Sequence, residues 1–257
     1  MSLNIQMKLI ARGTAVPFLV IAVWEILCRS GFVSPVILPS PSAILIKWIE
    51  WLMSGELLVD VAGSLFRVSS GFLLGGVLAL PLGLFMGASP RVYEYVNPLI
   101  QVLRPIPPIA WIPMSILWFG LGNPPAIFLI SLGAFFPILM NTIAGVRNVD
   151  SIYLRAARNL GAGNTTIFRR VILPASTPYI LAGIRIGIGT AFIVVIVSEM
   201  IAVNNGLGYR ILEAREYMWS DKIIAGMITI GMLGLAIDLC MNLLNNHLLR
   251  WHRGLGN

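Results

Sequence analysis

The chain has 257 residues, of which 57% are hydrophobic and only 11% charged, with a formal net charge of +7 and a mean hydropathy of +0.85. So little charge cannot cover that much apolar surface in water, which excludes an ordinary soluble domain and makes lipid part of the solvent. Two cysteines, Cys28 and Cys240, both lie inside apolar blocks and read as small fillers, not as a disulfide or metal pair.

The apolar residues gather in six blocks, 14–28, 63–88, 106–120, 124–146, 180–203 and 222–244, separated by short charged clusters. Each block is expected to be a transmembrane helix, giving an all-α membrane protein with a single transmembrane domain over residues 1–257. The first block follows Lys8 and Arg12 and has no clear small-residue cleavage site after it, so a retained helix is expected. The first and third blocks hold only about fifteen strongly apolar residues and must borrow flanking residues to reach the ~20 of an upright span.

Between the first two blocks, Pro39 and Pro41 precede Ile44, Trp48, Trp51 and Leu52, with Lys47, Glu50 and Ser54 on the other side of a 3.6-residue period. Such a helix fits the outer interface with its indoles at headgroup depth, or equally a position against the protein's own spans. Gly71 and Gly75, Gly83 and Gly87, and Gly183 and Gly187 form pairs four residues apart, flat patches that favour close helix contact within the chain over a seam between subunits. Pro105, Pro107, Pro108 and Pro113 are expected to break or bend the third block, and Pro107 and Pro108 are candidate pathway residues because irregular backbone is tolerated beside a water-filled path.

With an internal N-terminus, six spans put Lys8, Arg12, Arg91, Arg104, Arg147, Arg155, Arg158, Arg169, Arg170, Arg250 and Arg253 in the cytoplasm. The outer side receives Arg29, Lys47, Arg210, Arg215 and Lys222, accompanied by Glu50, Glu56, Asp60, Glu213, Glu216 and Asp221. That asymmetry follows the positive-inside tendency and places both termini in the cytoplasm. Anionic lipid and topology explain the basic charge, and no alternation of aromatic and basic residues suggests nucleic acid. Glu25, Arg67, Arg185, Glu199 and Asp238 fall in or near spans, where charge is costly against lipid, so each is directed inward or toward an interface. Arg67 and Arg185 fit snorkelling or a structural ion pair. Glu199 is a candidate for gate or docking contacts, and Asp238 for a buried structural partner.

The internal loop 150–174 runs Asp150-Ser-Ile-Tyr-Leu-Arg-Ala-Ala-Arg-Asn-Leu-Gly161 and then Ala-Gly-Asn-Thr-Thr-Ile-Phe-Arg-Arg-Val-Ile-Leu-Pro174. Asp150 fits an N-cap, 151–160 a short helix, and Gly161 a left-handed stop; a second helix is expected to start near Asn164 and end before Pro174. Ala156 and Ala157 between Arg155 and Arg158 offer close backbone contact with charged edges. That suits a plug for a groove on another protein, or equally a cap on the bundle.

Ala156-Ala157, Gly161 and Val171-Ile172-Leu173-Pro174 resemble the coupling-loop signature of ABC importer permeases: Glu-Ala-Ala, three residues, Gly, nine residues, Ile, one residue, Leu-Pro. Arg155 stands where the signature has glutamate. Ala22-Val-Trp-Glu, Ile37-Leu-Pro-Ser-Pro41, Ile116-Leu-Trp-Phe-Gly120, Phe136-Pro-Ile, Asn141-Thr, Gly145-Val-Arg-Asn-Val-Asp150, Asn205-Gly-Leu-Gly-Tyr209, Ala214-Arg-Glu-Tyr217 and Leu249-Arg-Trp251 are similar to the permeases for aliphatic sulfonates, taurine and nitrate, most of all the sulfonate branch.

The resemblance implies the type I importer permease fold and a homodimer in the bacterial inner membrane. It also implies two cytoplasmic ATPases and a periplasmic binding protein that delivers an aliphatic sulfonate or taurine, with nitrate or another small organic nutrient as the alternative. Arg155, Ala156, Ala157, Arg158, Gly161 and Pro174 then couple the chain to the ATPase. ATP and magnesium belong to that partner, since this chain has no glycine-rich Lys-Ser or Lys-Thr phosphate loop and is expected to bind no cofactor. An intramembrane enzyme is disfavoured: His247 and His252 are its only histidines, and no metal cluster, serine elbow or carboxylate pair stands out. A passive channel or structural protein would explain the spans but not the loop.

Overall fold

The computed structural model describes residues 3–248, and side chains over residues 16–245. Expectations resting on the side chains of Lys8, Arg12, His247, Arg250, Arg253 and His252, or on Leu249-Arg-Trp251, fall outside the described residues.

Every described element is helical: α1 (Leu3–Arg29), α2 (Pro41–Met53), α3 (Glu56–Ala88), α4 (Pro90–Leu103), α5 (Ile112–Phe119), α6 (Asn123–Arg147), α7 (Ser151–Asn159), α8 (Asn164–Ile167), α9 (Leu173–Ala202), α10 (Leu207–Glu216) and α11 (Ser220–Leu248). A 3-10 turn at Pro108–Trp111 precedes α5, and a π turn at Phe168–Ile172 joins α8 to α9. Among the described residues, four helices are long and apolar enough to cross a membrane: Glu56–Ala88, Asn123–Arg147, Asn164–Ala202 and Ser220–Asn245. A fifth arises if Pro90–Leu103 and Pro108–Phe119, bent by 81°, count as one broken span. The first block lies in α1, where many apolar side chains, among them Phe18 and Leu19, are exposed and Trp24 and Cys28 are half-buried.

α6 is the axis of the bundle, with α3 on one side and α9 on the other. Gly71, Gly75, Gly83 and Gly87 of α3 and Gly183 and Gly187 of α9 all face α6, so each pair packs within the chain. A Cβ on Gly75 would lie 2.5 Å from the Ser131 carbonyl oxygen, and one on Gly183 would lie 2.7 Å from the Asn141 Cβ. Lipid gives these helices no apolar reason to associate, so the contact rests on backbone proximity that only glycine permits. Around it, Leu129, Ile130, Ile138, Leu139, Met86 and Val195 form the buried core.

The third block departs from expectation. Residues 106–120 form only the short turn and α5, while most of the helical length lies upstream in α4, where the charges of Arg91 and Glu94 and the polar Asn97 and Gln101 hide it from a hydropathy reading. Pro105, Pro107 and Pro108 explain the break. Pro107 is extended at φ −65° and ψ 142°, as a residue before proline prefers, and the chain restarts with Ala110 N donating to Pro107 O at 2.9 Å. Pro113 falls in the first turn of α5, where its missing N–H costs nothing.

The loop helix expected to end before Pro174 does not end there. Leu173 N donates to Phe168 O, five residues back, and the chain runs on as one rod from Asn164 to Ala202. Proline would clash with the carbonyl four residues earlier in an α-helix; the widened π turn accommodates it without breaking the rod.

α2 packs inward. Trp51 and Ile44 are buried, Trp48 Nε1 donates to Thr229 Oγ1 of α11 at 2.9 Å, and Lys47 pairs with Glu50 on the outer side. Glu25 near the end of α1 accepts from Ser42 N at 3.0 Å and Ser42 Oγ at 2.7 Å, satisfying the start of α2, and pairs with Arg29.

Gly75→Ala should destabilise the purified protein by about 1–3 kcal/mol through overpacking. Gly189→Ala, where nothing lies within 4 Å of the new methyl, should not. Equal shifts of the two thermal midpoints in nanodiscs would remove close approach as the cause.

Candidate functional site

Three features stand out, at the two ends and in the flank of the bundle. At the end where α3 begins and α9 finishes, the side chains of Arg67 and Glu199 are 3% and 0% exposed and meet at 2.7 Å. Arg67 also donates to Asn123 Oδ1 at 2.7 Å and to the Asn205 carbonyl at 3.1 Å, and contacts Asn205 Oδ1. Glu199 Oε2 accepts from Ser64 Oγ at 2.9 Å and Gly208 N at 3.0 Å. Asp60, fully buried, accepts from Gly206 N at 2.9 Å and pairs with Arg210 at 2.8 Å. Burial works against the Arg210 charge, but hydrogen bonds to Glu213 and Asp60 outweigh it and raise the guanidinium above its ordinary value.

The segment Asn205–Gly208 is therefore clamped onto α3 and α9 by charge and by its own amides. Gly206 sits at φ +108°, and a Cβ there would lie 2.6 Å from the Glu199 carboxyl carbon and 2.7 Å from an Arg67 nitrogen. Gly122 N, at the start of α6, donates to Ala202 O at 2.7 Å and closes the same end. Each buried charge has a partner and further hydrogen bonds, the condition under which ions persist away from water.

At the opposite end, Asp150 Oδ1 accepts from Ile152 N at 2.8 Å and caps α7. The helix closes with Gly161 N donating to Arg158 O at 2.9 Å and Ala162 N to Ala157 O at 3.0 Å, around Gly161 at φ +78°. That is the double hydrogen bond of a glycine C-terminus. The helix between these caps is presented outward: Ile152, Tyr153 and Leu160 are exposed, Leu160 to 87%, as are Arg155, Ala156 and Arg158, while Ala157 is half-buried.

In the flank, a cleft of about 520 Å³ opens between α6, α9 and the break after α4. Phe136, Met140, Ile186 and Ile193 give it apolar walls, and Arg104, Asn141 and Thr190 are its polar members. Of the candidates named from sequence, Pro108 lines this cleft and Pro107, Arg185, Glu199 and Asp238 do not. Burial is also the reverse of the expectation for the two acids. Glu199 is the enclosed structural partner, and Asp238 pairs with Arg185 at 2.7 Å with side chains 47% and 46% exposed. Arg104, counted from sequence among the cytoplasmic basic residues, instead lines the cleft beside the helix break; Asn141 was quoted only within a family motif and Thr190 not at all. Pro174 lies in the rod beside the exposed end, not in α7.

The profile of the family described as "Binding-protein-dependent transport system inner membrane component" matches residues 79–254. The chain belongs to this family. It is an ABC importer permease subunit, a multi-pass membrane protein. It is 41% identical over 257 residues to a putative ABC transporter permease of Methanocaldococcus jannaschii, covering 98% of this chain and 96% of that protein. It is 39% identical to a putative aliphatic sulfonates transport permease of Bacillus subtilis, covering 93% and 87%. The taurine transport system permease of Escherichia coli is 34% identical, covering 90% and 86%. Among solved structures, the MetNI methionine ABC transporter, described as inward facing, matches with a TM-score of 0.65 at 20% identity, over 76% of this chain and 97% of that one, and shares the fold.

The buried ion pair of the permease lends itself to a double-mutant cycle. Arg67→Met and Glu199→Met should each destabilise by about 3–5 kcal/mol because each strands a buried charge. The double variant should cost at least ~1 kcal/mol less than the sum. Strict additivity of unfolding free energies would show that the two side chains act separately.

Proposed function

We propose that this permease imports an aliphatic sulfonate or taurine, as one half of a homodimer driven by two cytoplasmic ATPases and fed by a periplasmic binding protein. α7 is the part that docks in the ATPase. The observation that carries this reading is the exposed apolar stripe Ile152, Ala156 and Leu160, four residues apart on a helix capped at both ends, with Arg155 and Arg158 beside it. A stripe of that kind left outside the bundle suits a groove on a partner. Arg155 in place of the glutamate changes the charge offered at the groove's edge, so the partner surface is expected to be acidic there.

In this reading α1, α3, the broken pair α4–α5, α6, α9 and α11 are the six spans, α7 and both termini are cytoplasmic, and Asn205 faces outward. The sulfonate assignment draws on the relatives named for sulfonate and taurine transport and on the cleft, whose apolar walls suit an alkyl chain better than a bare oxyanion such as nitrate. The half-exposed Arg185–Asp238 pair, set between two membrane-length helices, favours a protein or water neighbour over lipid at that face and so supports a second copy there.

Reconstitution with the cognate ATPase and binding protein in proteoliposomes should give ATP-dependent uptake of taurine or ethanesulfonate; uptake of nitrate alone would overturn the substrate assignment. Gly161→Val should leave insertion intact but lose ATPase co-purification or uptake, because its φ of +78° carries about 1–3 kcal/mol of strain for a β-branched residue. Gly161→Ala should be milder. Normal coupling in the valine variant, at matched amounts of folded protein, would free this glycine of the role.

A further inference from the structure

We propose that Arg104, with Asn141, forms an anion-binding subsite in the membrane cleft, where the oxyanion head of the transported solute rests while its carbon chain lies against Phe136, Met140, Ile186 and Ile193. This rests on the importer reading given above and names the residues that would recognise its cargo.

Arg104 is the only ionisable side chain lining the cleft, and among the described residues no carboxylate pairs with it. It stands at the C-terminal end of α4, immediately before the 81° break, so the prolines that interrupt the helix also hold this guanidinium at the cleft. Four other arginines have partners within the chain: Arg67 with Glu199, Arg185 with Asp238, Arg210 with Asp60, and Arg147 over the Tyr93 ring at 3.9 Å. Arg104 is exposed, so its guanidinium stays hydrated and open to an anion that enters the cleft.

The donors suit an oxyanion. A guanidinium carries five N–H groups in a planar fork that matches a sulfonate or carboxylate edge in two places. Asn141 Nδ2 donates to Pro137 O at 2.9 Å, which uses one of its two hydrogens and leaves the other for a ligand. The one hydrogen of the Thr190 hydroxyl has the backbone carbonyls of Gly133, Ile186 and Gly187 as alternative acceptors at 2.9, 2.9 and 3.0 Å, so Thr190 is not needed as a donor to the anion. A volume of about 520 Å³ admits a small amphiphilic anion and leaves room for water.

The test reads the electrostatics of the cleft directly. In the assembled complex in nanodiscs, with Cys28 and Cys240 replaced by alanine, Ile193→Cys places one thiol on the cleft wall. Its reaction rates with an anionic and a cationic methanethiosulfonate reagent of similar size are compared. Removing the charge with Arg104→Gln should lower the anionic-to-cationic ratio by at least about tenfold, since one unit charge acts with opposite sign on the two reagents even at water-like dielectric. Arg104→Lys should hold the ratio within about threefold of the parent, since the charge remains. Taurine or ethanesulfonate at millimolar concentration should protect the introduced thiol in the parent and not in Arg104→Gln. An unchanged ratio in Arg104→Gln, or a fall in Arg104→Lys as deep as in Arg104→Gln, overturns the subsite. Protection by nitrate but by neither sulfonate keeps the anion subsite and overturns the sulfonate reading of the importer, so the two failures are told apart.

Discussion

Helices in lipid must hold together without the force that assembles a water-soluble core. Here that constraint is met by one seam: α6 lies so close to α3 and α9 that one or other helix presents glycine at the tightest crossings, as at Gly75 over the Ser131 carbonyl and Gly145 of α6 against Tyr179. Contact at that range brings many weak dispersion attractions together and requires no polar group in the middle of the membrane. α1, α2 and α11 are attached differently, through Trp48 to Thr229 and Glu25 to Ser42, with exposed apolar residues such as Phe18, Leu45 and Leu239 on their outer faces. The result is a stiff three-helix centre with a looser collar.

The two ends of that centre are built on opposite principles. At one, Asp60, Arg67, Glu199 and Arg210 turn inward and spend their charge on each other and on the amides of Gly206 and Gly208. At the other, α7 satisfies its own termini and leaves Ile152, Tyr153 and Leu160 uncovered. Closed electrostatics at one end and an open apolar stripe at the other describe a body that is braced on one side and left uncovered on the other.

Much of this was legible in the sequence because it is periodic or conformational. Glycines four residues apart announced the seam, Asp150 and Gly161 announced both ends of α7, and the apolar blocks located α3, α6, α9 and α11. What escaped was non-local. Nothing in the local pattern around Arg67 tells that its partner is residue 199, or that Glu199 is enclosed while Asp238 is half-exposed. α4 escaped because its polar surface hides its helical length from hydropathy, and the cleft because its walls come from three separated segments. Pro174 misled for a physical reason: proline ends an α-helix, but a preceding π turn removes the clash that would end it.

That π turn also sets how far a displacement can travel. Had the chain broken before Pro174, the exposed loop would be joined to α9 by a swivel, and a push on it would be lost in the joint. Instead Asn164–Ala202 is a single shaft of 39 residues, about 58 Å at 1.5 Å per residue, nearly twice the hydrocarbon thickness. Pivoted where Gly183 and Gly187 rest on α6, such a shaft turns a tilt of ~10° at one end into a swing of roughly 5 Å at the other. The far end carries Glu199, and with it the clamp on Asn205–Gly208, so a force applied on one side of the bilayer arrives on the other as leverage.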